Sequence, residues 1–280
     1  MALCPHPPVA TFTGEGGIAP EHRRVAERRR PVRVVSWNVL AGGGRRCDAI
    51  ATRLQQYDAD IIVLQETIST RGPDLCHVLA TVGYDYRLSA PRGRQERGLC
   101  LLSRLPLARI EKPSSPQASV YPRGWLEAEV RPLRWRIAAV YAPAAGPRIP
   151  AFWNATAGWL LRRRVTRPLL MLGDFNAGMS GTDAPEYRFR AGSAFARLAE
   201  AGLVDLWRQA HGAKREYTWF SRPPRGLAPR GFRIDHAFAS PWLADRLISC
   251  RYDHEVRERG WSDHSLLLLE LGTPGNEVTA

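Results

Sequence analysis

The sequence lacks the features of three classes of protein. Its longest apolar runs, at Ile61–Leu64 and Leu266–Leu269, are far shorter than the ~20 residues that a membrane-spanning helix needs. The N-terminus has no continuous apolar segment of the kind that a secretory signal contains. None of the five cysteines forms a Cys-x-x-Cys pair, which argues against a disulfide framework and a zinc-thiolate site. We therefore expect a cytoplasmic protein with reduced thiols and no membrane partner.

Lysine is almost absent, since Lys112 and Lys214 are the only two in the chain. Arginine supplies nearly all of the 40 basic residues, and the formal net charge is +13. A basic protein attracts polyanions, and nucleic acid is the commonest of these in a cell. A GC-rich genome also raises the arginine content, so the charge favours a phosphate-bearing partner without identifying it. Nothing in the composition indicates an obligatory protein partner.

Short apolar runs that predict strands alternate with helical spacings of apolar residues from position 32 onward. The predicted strands are 32–38, 61–65, 99–103, 125–130, 136–141, 169–173, 234–239 and 265–271, and the predicted helices are 47–57, 152–164 and 193–201. No internal break separates two folding units, so we predict one α/β domain with two sheets over residues 31–272. Residues 1–30, rich in proline, glycine and arginine, are predicted to be a disordered lead-in, and residues 273–280 a tail.

Polar side chains stand at or just beyond the ends of these strands. They are Asn38, Glu66, Tyr141, Asp174, Asn176, Asp235, Asp263 and His264. Strand ends in a sheet-based fold converge on one edge, where sites are commonly built. We therefore predict that these side chains gather in one pocket.

Asp174 and Asn176 follow the apolar run Leu170–Leu172. Because side chains alternate along a strand, both point to the same side. A carboxylate there can accept a proton from an attacking water while the carboxamide holds that water in place. A strand-ending turn is the alternative, because glycine, aspartate and asparagine are all turn formers.

His264 directly precedes the most apolar strand of the chain, and histidine is the side chain best able to exchange a proton near neutral pH. A carboxylate at Asp235 would orient this imidazole and stabilise its charged form. A second pair, Asp253-His254, lies in the charged stretch 251–259, and we predict it to be on the surface.

Glu66 ends the apolar run that begins at Ile61, so its carboxylate faces either solvent or a cation. Magnesium prefers oxygen ligands from one or two carboxylates and leaves its other positions to water and phosphate. Glu66 is therefore the leading candidate for a metal ligand. Asn38, at the end of the first strand, is suited to binding metal or phosphate.

Aromatic and basic residues occur together near position 220. The candidate substrate-binding residues are Arg97, Trp219, Arg222, Arg225, Arg230 and Phe232. Arginines can hold phosphates, and aromatic rings can stack on bases or wedge between them. In the alternative, the rings belong to the core and the arginines are merely solvated.

Taken in order, seven motifs of this chain resemble those of the endonuclease/exonuclease/phosphatase superfamily, which includes exonuclease III, AP endonucleases and deoxyribonuclease I. They are Ser36-Trp-Asn38, Gln65-Glu66, Gly98-Leu-Cys-Leu-Leu-Ser-Arg104, Val140-Tyr-Ala-Pro143, Gly173-Asp-Phe-Asn176, Arg233-Ile-Asp235 and Ser262-Asp-His264. Each motif is weak alone, and their order and spacing make the match specific. The resemblance implies a four-layer α/β sandwich, in which two packed mixed β-sheets are flanked by helices.

The resemblance also implies roles for the matching residues. Glu66 would be the main ligand of Mg²⁺, or of Mn²⁺, with Asn38 and Asp263 beside it. The catalytic residues would be Asp174, which activates or positions the attacking water, its companion Asn176, His264 at the scissile phosphate, Asp235, which holds His264, and Tyr141. Losing Asp174 or His264 should nearly abolish turnover.

Two positions depart from the pattern of AP-endonuclease-like members. Leu40 stands where these members carry a polar residue, and it cannot bind metal. Ala144 replaces an asparagine that is common after the Tyr-x-Pro motif. The chain therefore matches the superfamily as a whole better than it matches dedicated AP-site enzymes.

Three functions remain open at this point. The leading one is a metal-dependent nuclease that acts on DNA as an endonuclease or a 3′ exonuclease. The second is a phosphoesterase for small-molecule or lipid phosphates with the same machinery. The third is a catalytically silent fold that binds nucleic acid.

Overall fold

Two six-stranded β-sheets form the centre of the computed structural model, which describes residues 30–68, 74–90, 93, 96–110, 117–131, 133–163 and 167–273. The predicted lead-in, apart from Arg30, and the predicted tail, apart from Thr273, lie outside the described residues.

The elements are numbered here in chain order. The strands are β1 (Val32–Asn38), β2 (Ile61–Ile68), β3 (Tyr86–Ser89), β4 (Arg97–Ser103), β5 (Leu107–Arg109), β6 (Trp125–Val130), β7 (Trp135–Tyr141), β8 (Leu169–Asp174), β9 (Val204–Asp205), β10 (Trp219–Phe220), β11 (Gly231–Phe232), β12 (Asp235–Ala239), β13 (Leu247–Asp253) and β14 (Leu266–Leu271). The helices are α1 (Cys47–Gln56), α2 (Leu75–Ala80), α3 (Gln117–Val120), α4 (Arg148–Arg163), α5 (Gly192–Glu200), α6 (Leu206–His211), α7 (Pro241–Ala244) and α8 (Glu255–Glu258), with 3₁₀ turns at Gly44–Arg46 and Pro122–Gly124.

Both large sheets are mixed. The first has the order β13-β14-β1-β2-β4-β3, and the second has the order β5-β6-β7-β8-β12-β9. Each contains one parallel pair, β1 with β2 and β7 with β8, and its other neighbours are antiparallel. Strands β10 and β11 form a separate hairpin.

Alternate residues of β1 face two different apolar layers. Val34 packs between the sheets, in a cluster that includes Ala138 of β7. Val35 points the other way and packs with Ile50 of α1. On the far side, Phe152 of α4 covers the second sheet together with residues of α5. The predicted architecture of two packed sheets flanked by helices is confirmed.

The structure also differs from the predicted elements. Helix α4 begins earlier than predicted, at Arg148, because Pro150 lies in its first turn, where proline is tolerated. Strand β13 was not predicted because Ser249, Arg251 and Asp253 interrupt its apolar pattern, although Cys250 and Tyr252 are buried. Strands β3 and β5 and helix α2 are too short to give a clear periodicity.

Among the helices within the described ranges, none combines the length and the apolar character needed to cross a bilayer. The cysteines at positions 47, 76, 100 and 250 are free thiols.

Candidate active site

The first sheet delivers Asn38 and Glu66 from its parallel strands. Asn38, the last residue of β1, pairs in register with Gln65 of β2. Glu66 comes next, at an irregularity in the pairing of β2 with β4, and its φ is 59°. This left-handed conformation is costly for a residue with a Cβ. It lets Glu66 leave the regular ladder while Gln65 and Thr67 remain paired.

The second sheet delivers a row of three side chains. Asp174 of β8 pairs in register with Tyr141 of β7 on one side and with Asp235 of β12 on the other. Gly173 precedes Asp174 with a φ of 146°, and a Cβ there would stand 1.9 Å from the carbonyl oxygen of Val140. Only glycine allows the two strands to approach this closely, which brings the row together.

Asp174 is held by amide groups from both sheets. Its Oδ2 accepts a hydrogen bond from the Asn38 side-chain nitrogen at 2.9 Å and a longer one from the Asn176 side chain at 3.3 Å. Its Oδ1 accepts from the Asn176 backbone nitrogen at 3.0 Å. Asn176 has a φ of 45°, which asparagine adopts more readily than most residues. Its side chain also donates to the carbonyl oxygen of Ala142 at 2.9 Å, so the carboxamide is fixed beside the carboxylate.

Glu66 is surrounded by four donors. Its Oε1 faces the Asn38 nitrogen at 3.4 Å and the Tyr141 hydroxyl at 3.3 Å. Its Oε2 accepts from the Ala41 backbone nitrogen at 3.0 Å and forms an ion pair with Arg97 at 2.9 Å. The residue is only 8% exposed. A buried carboxylate held in this way needs positive charge nearby, and Arg97 supplies it.

His264 and Asp235 form a buried pair. The imidazole Nδ1 lies 2.9 Å from Oδ2 of Asp235, and Trp37 donates to the carbonyl oxygen of His264 at 3.2 Å. Ser262 accepts from the His264 backbone nitrogen and donates to the carbonyl oxygen of Asn38. This serine ties the histidine segment to the end of β1.

The three groups Asp174, Asp235 and His264 bring potential ligand atoms within 4.8 Å of one another. Burial raises the pKa of Asp174 above its ordinary range, although His264 and Asn38 act in the opposite direction. Burial lowers the pKa of His264, but the carboxylates of Asp235 and Asp174 outweigh this effect and raise it above its usual value. These electrostatic effects favour a protonated imidazole of His264 beside the carboxyl groups of Asp174 and Asp235.

Tyr141 stays protonated in this environment. Burial raises the pKa of its hydroxyl, and the nearby carboxylates of Glu66 and Asp174 raise it further. The hydroxyl is therefore a hydrogen-bond donor to Glu66 and is not a general base.

A divalent cation fits these residues on the grounds of their donor chemistry. Glu66 and Asp174 supply carboxylate oxygens, both within 3.4 Å of one nitrogen of Asn38. In this structure the Asn38 oxygen accepts from the Leu40 backbone nitrogen at 3.0 Å, so its nitrogen faces the carboxylates. Asn38 would offer its oxygen to a cation only after its side chain turned. In this structure the guanidinium of Arg97 supplies the positive charge beside Glu66.

Asp263 lies in the same cavity but has different partners. Its Oδ2 accepts from the Trp219 indole nitrogen at 3.2 Å and faces Arg222 at 3.4 Å. Glu66 and Asp263 both line the cavity. Among the described residues, no contact joins their two carboxylates.

The cavity has a volume of about 570 Å³. Of the predicted site residues, it is lined by Glu66, Tyr141, Asp174, Asn176, Asp263, His264, Arg97, Trp219 and Phe232. Leu40 and Ala144, the two positions that depart from the pattern of AP-endonuclease-like members, also line it. Asn38 and Asp235 lie behind this wall and contact it through Asp174 and His264. The structure thus brings the predicted catalytic and metal-ligand residues to one place.

The basic loop between β10 and β11 is placed differently. Arg222, Arg225 and Arg230 are exposed there and do not belong to the described wall of the cavity. Arg222 approaches it through its contact with Asp263.

Several residues of the cavity were not singled out from the sequence. Tyr187, Phe189 and Arg190 line it, as does Ile149 of α4. The segment Tyr187-Arg-Phe-Arg190 alternates aromatic and basic residues, which is a recognisable pattern for binding single-stranded nucleic acid. Its position in a loop without periodicity hid that signal.

The surface prediction for Asp253-His254 was wrong in part. Asp253 is buried at the end of β13 and pairs with Arg53 of α1 at 2.7 Å. His254 is half-buried between Glu216 and Ser265. The pair lies outside the described cavity wall, and its charge is balanced by partners that are remote in the sequence.

A buried ion-pair network supports the strand that carries Asp235. Arg233 is 0% exposed and contacts Asp183 at 2.8 Å and Asp205 at 2.6 Å. Burial alone would raise the pKa of both aspartates, but Arg233 and the nearby His236 outweigh it and hold both values below the usual range. Asp183 also accepts from the Met179 backbone nitrogen, so the network joins β12 to the loop that follows Asn176.

Comparison with known proteins gave a family match over most of the chain. A model described as the "Endonuclease/Exonuclease/phosphatase family" matches residues 35–264. A curated relative, a DNA-(apurinic or apyrimidinic site) endonuclease of Arabidopsis thaliana, is 24% identical over 157 residues, which are 45% of this chain and 43% of the relative. The chain therefore spans less than half of that relative's length.

Solved structures share the fold. The 3′-5′ exonuclease NExo from Neisseria meningitidis is 25% identical with a TM-score of 0.69, and the match covers 86% of this chain and 99% of the other. An AP endonuclease from Archaeoglobus fulgidus is 20% identical with a TM-score of 0.67, at 86% and 100% coverage. A third is a variant of the 3′ phosphatase NExo from Neisseria bound to a product DNA hairpin, with 24% identity, a TM-score of 0.70, and 86% and 99% coverage.

Proposed function

Because the chain belongs to the endonuclease/exonuclease/phosphatase family, we propose that it is a DNA nuclease that hydrolyses phosphodiester bonds with the help of a divalent cation, Mg²⁺ in the cell. The observation that carries the proposal is the convergence of Asp174, Asp235 and His264 within 4.8 Å, next to Glu66 and in an open cavity. The cytoplasmic location and the absence of an obligatory protein partner stay predictions.

The metal would be held by Glu66 together with Asn38 and with Asp263, which lines the same cavity. A bound cation polarises a phosphoryl oxygen and stabilises the leaving oxygen. Mn²⁺ has the same preference for oxygen ligands, so it could replace Mg²⁺ in vitro. The Tyr141 hydroxyl would keep the Glu66 carboxylate in position through its hydrogen bond.

The water-directed chemistry falls to Asp174 and Asn176. Hydrolysis of an anionic diester needs charge neutralisation and in-line placement of the nucleophile more than it needs a covalent intermediate. Asp174 would accept the proton of the attacking water. Asn176, fixed against the carbonyl oxygen of Ala142, would hold that water in line with the phosphorus atom.

His264 would act on the phosphate itself. Its Nδ1 is taken by Asp235, so the Nε2 atom is left to donate a hydrogen bond to a non-bridging oxygen. Asp235 raises the pKa of the imidazole, which keeps it charged at neutral pH. A charged donor stabilises the negative charge that develops on the phosphoryl group in the transition state.

DNA is the substrate that best fits the surroundings of this centre. Arg97 and Arg190 line the cavity, and Arg222 of the β10–β11 loop contacts Asp263 in its wall. Arginine contacts to phosphate position a strand without reading its sequence. The relatives named above act on DNA according to their names, which supports the same choice.

The function is tested by incubating the purified chain with plasmid, duplex carrying an abasic site, single strands and bis(p-nitrophenyl) phosphate, each with Mg²⁺, Mn²⁺ or EDTA. We expect metal-dependent cleavage of at least one DNA substrate and no cleavage in EDTA. The Asp174→Asn variant serves as the inactive control for contaminating nucleases. Cleavage of only the small ester would identify a small-molecule phosphoesterase, and DNA binding without any turnover would identify a silent binding module.

A further inference from the structure

The buried pair of Asp235 and His264 spans the two sheets. Asp235 is the first residue of β12 in the second sheet, whereas His264 lies just before β14 in the first sheet. The distance of 2.9 Å between the carboxylate and the imidazole therefore depends on how the ends of two different sheets are set against each other. A residue that is bonded to both ends would fix that distance.

Thr218 is bonded to both ends. Its hydroxyl oxygen accepts hydrogen bonds from the backbone nitrogens of Ile234 at 3.1 Å and Asp235 at 3.3 Å. Its carbonyl oxygen accepts from the backbone nitrogen of Ser265 at 2.9 Å, and Ser265 directly follows His264. We propose that Thr218 is a positioning residue that sets the Asp235 carboxylate against the His264 imidazole. The proposal rests on the proposed function and deepens it, because Thr218 acts through two residues of the same site.

The side chain of Thr218 is suited to this task. It is 0% exposed, so water does not compete for its hydroxyl. Threonine is branched at Cβ, which restricts its χ1 rotamers and keeps the hydroxyl in one place. A hydroxyl can accept two hydrogen bonds and donate one, and this hydroxyl also donates to the carbonyl oxygen of Phe232 at 3.4 Å. Its hydrogen-bonding capacity is therefore used entirely on the segment that leads into Asp235.

The backbone of Asp235 is held on its other side as well. The Tyr252 hydroxyl of β13, in the first sheet, donates to the Asp235 carbonyl oxygen at 2.7 Å. The amide and the carbonyl group of Asp235 are thus both bonded to side chains from outside its own sheet. Without the Thr218 hydroxyl, two buried backbone N–H groups would lose an acceptor, and the strand end would have to move to find another.

The segment after His264 is held by a second connection. Ser265 is fully buried, and its hydroxyl lies 2.7 Å from Nδ1 of His254. Nε2 of the same imidazole lies 2.9 Å from a carboxylate oxygen of Glu216, which belongs to the same short segment as Thr218. Ser265 is therefore connected to that segment twice, directly through Thr218 and indirectly through His254. The position of His264 relative to Thr218 is fixed by both connections.

Removing the Thr218 hydroxyl tests the proposal in turnover. Thr218→Val keeps the shape of the side chain and removes its bonds to Ile234 and Asp235. We expect kcat on DNA to fall by about 10–100-fold, as small misplacements of catalytic groups typically cause, with little change in KM. Thr218→Ser restores the hydroxyl and should recover most of the lost kcat. Thr218→Ala removes the same hydroxyl and replaces Thr218→Val if that variant does not fold.

Thr156→Val is the matched control. Thr156 is also 0% exposed, and its hydroxyl donates to the carbonyl oxygen of Phe152 within α4 at 2.8 Å. The variant loses a buried hydroxyl at a position outside the described cavity wall. It should therefore lower the thermal midpoint and leave kcat of the folded protein unchanged, which separates positioning from a general loss of stability.

A double-mutant cycle tests whether Thr218 acts through Asp235. Asp235→Asn alone removes the charged partner of His264. If the effect of Thr218 passes through that partner, adding Thr218→Val to Asp235→Asn should cause little further loss of kcat. Fold losses that multiply would show that the two residues act independently and would overturn the proposal.

The geometry of the pair can be measured without turnover, in EDTA. Proton NMR records the Nδ1 proton of His264 in its hydrogen bond to Asp235, and the absence of this resonance from His264→Gln assigns it. We expect the resonance to move upfield, or to disappear through exchange with water, in Thr218→Val, because a displaced carboxylate weakens the hydrogen bond. It should keep its position in Thr218→Ser and Thr156→Val.

The outcomes distinguish this proposal from the proposed function. Metal-dependent DNA cleavage with wild-type kcat and an unchanged resonance in Thr218→Val overturns the positioning role and leaves the nuclease in place. A displaced resonance in Thr218→Val, in a protein that cleaves no DNA, supports the geometric role of Thr218 and overturns the nuclease. Equal losses in Thr218→Val and Thr218→Ser, or a loss of kcat with an unchanged resonance, would overturn the proposal, because neither result depends on the hydroxyl acting through the pair.

Discussion

The side-chain nitrogen of Asn38 donates to Oδ2 of Asp174 at 2.9 Å, across the junction of the two sheets. The same nitrogen lies 3.4 Å from Oε1 of Glu66. One carboxamide therefore joins the carboxylate proposed to bind metal to the carboxylate proposed to activate water. This hydrogen bond links the two sheets at the proposed catalytic site.

Replacing Asp174 tests the water-activating role. Asp174→Asn keeps the size of the side chain and removes the proton acceptor, so we expect a loss of about 10²–10⁴-fold in kcat. Its stability should not fall, because a buried carboxyl with a raised pKa is itself unfavourable. The measurements are turnover in Mg²⁺ and the thermal midpoint. Asp48→Asn, at an exposed position on α1, is the control, and wild-type turnover in Asp174→Asn would contradict the role.

Arg97 is predicted to compete with the cation for Glu66. Arg97→Gln removes the guanidinium 2.9 Å from Oε2, so we expect tighter Mn²⁺ binding by calorimetry. DNA binding should weaken, and its dependence on salt should become shallower by about 0.7–0.9 in the log–log slope if Arg97 contacts one phosphate. Arg87→Gln, at an exposed position on β3, should change neither quantity. Unchanged metal affinity in Arg97→Gln would show that the ion pair does not oppose the cation.

The buried network around Arg233 predicts a specific dependence of stability on pH. The pKa values of Asp183 and Asp205 are lowered in the folded protein. Their contribution to stability is therefore complete above the unfolded value of about 3.9, and it is lost as the pH falls towards the lower folded values. Urea unfolding between pH 5 and pH 2 should record this loss.

Removing the guanidinium should weaken that dependence of stability on pH. Arg233→Met leaves two buried carboxylates without their cation, which typically costs about 3–5 kcal/mol at neutral pH. The variant should then lose less stability than the wild type on acidification, because its aspartates take up protons more readily. Arg167→Met removes an exposed partner 3.8 Å from Glu129 and should change stability by less than about 1 kcal/mol. Equal pH slopes for Arg233→Met and the wild type would contradict the network.

Gly173 tests the close approach of β7 and β8. A Cβ at this position would stand 1.9 Å from the carbonyl oxygen of Val140, at a φ of 146°. Gly173→Ala should therefore separate the strands and displace Asp174, with a loss of activity and of about 3 kcal/mol or more in stability. Gly202→Ala is a matched control, because Gly202 has a φ of 84° but open space around its Cβ. It should cost only about 1 kcal/mol, and equal effects of the two substitutions would rule out the steric argument.

The sequence predicts the central site well because strand ends carry their own signal. Asn38, Glu66 and Asp174 each follow a run of buried residues, and the sheet register brings them together. This part of the site depends on local pattern and on a small number of strand pairings. Both can be inferred from the order of the motifs.

The rest of the site depends on contacts that the local pattern does not encode. Tyr187 and Phe189 lie in a loop without periodicity, and their position follows from packing against Phe232. Asp253 is buried although its neighbours are charged, because Arg53 of a distant helix neutralises it. Each of these placements requires knowledge of a partner far away in the chain.

The left-handed backbone of Glu66, with its φ of 59°, places conformational strain at the residue proposed to bind the metal. A glycine would adopt the same conformation without strain, but it would leave Arg97 and the Ala41 backbone nitrogen without their acceptor. The contacts of the carboxylate thus offset the strain of the bend that carries it into the cavity.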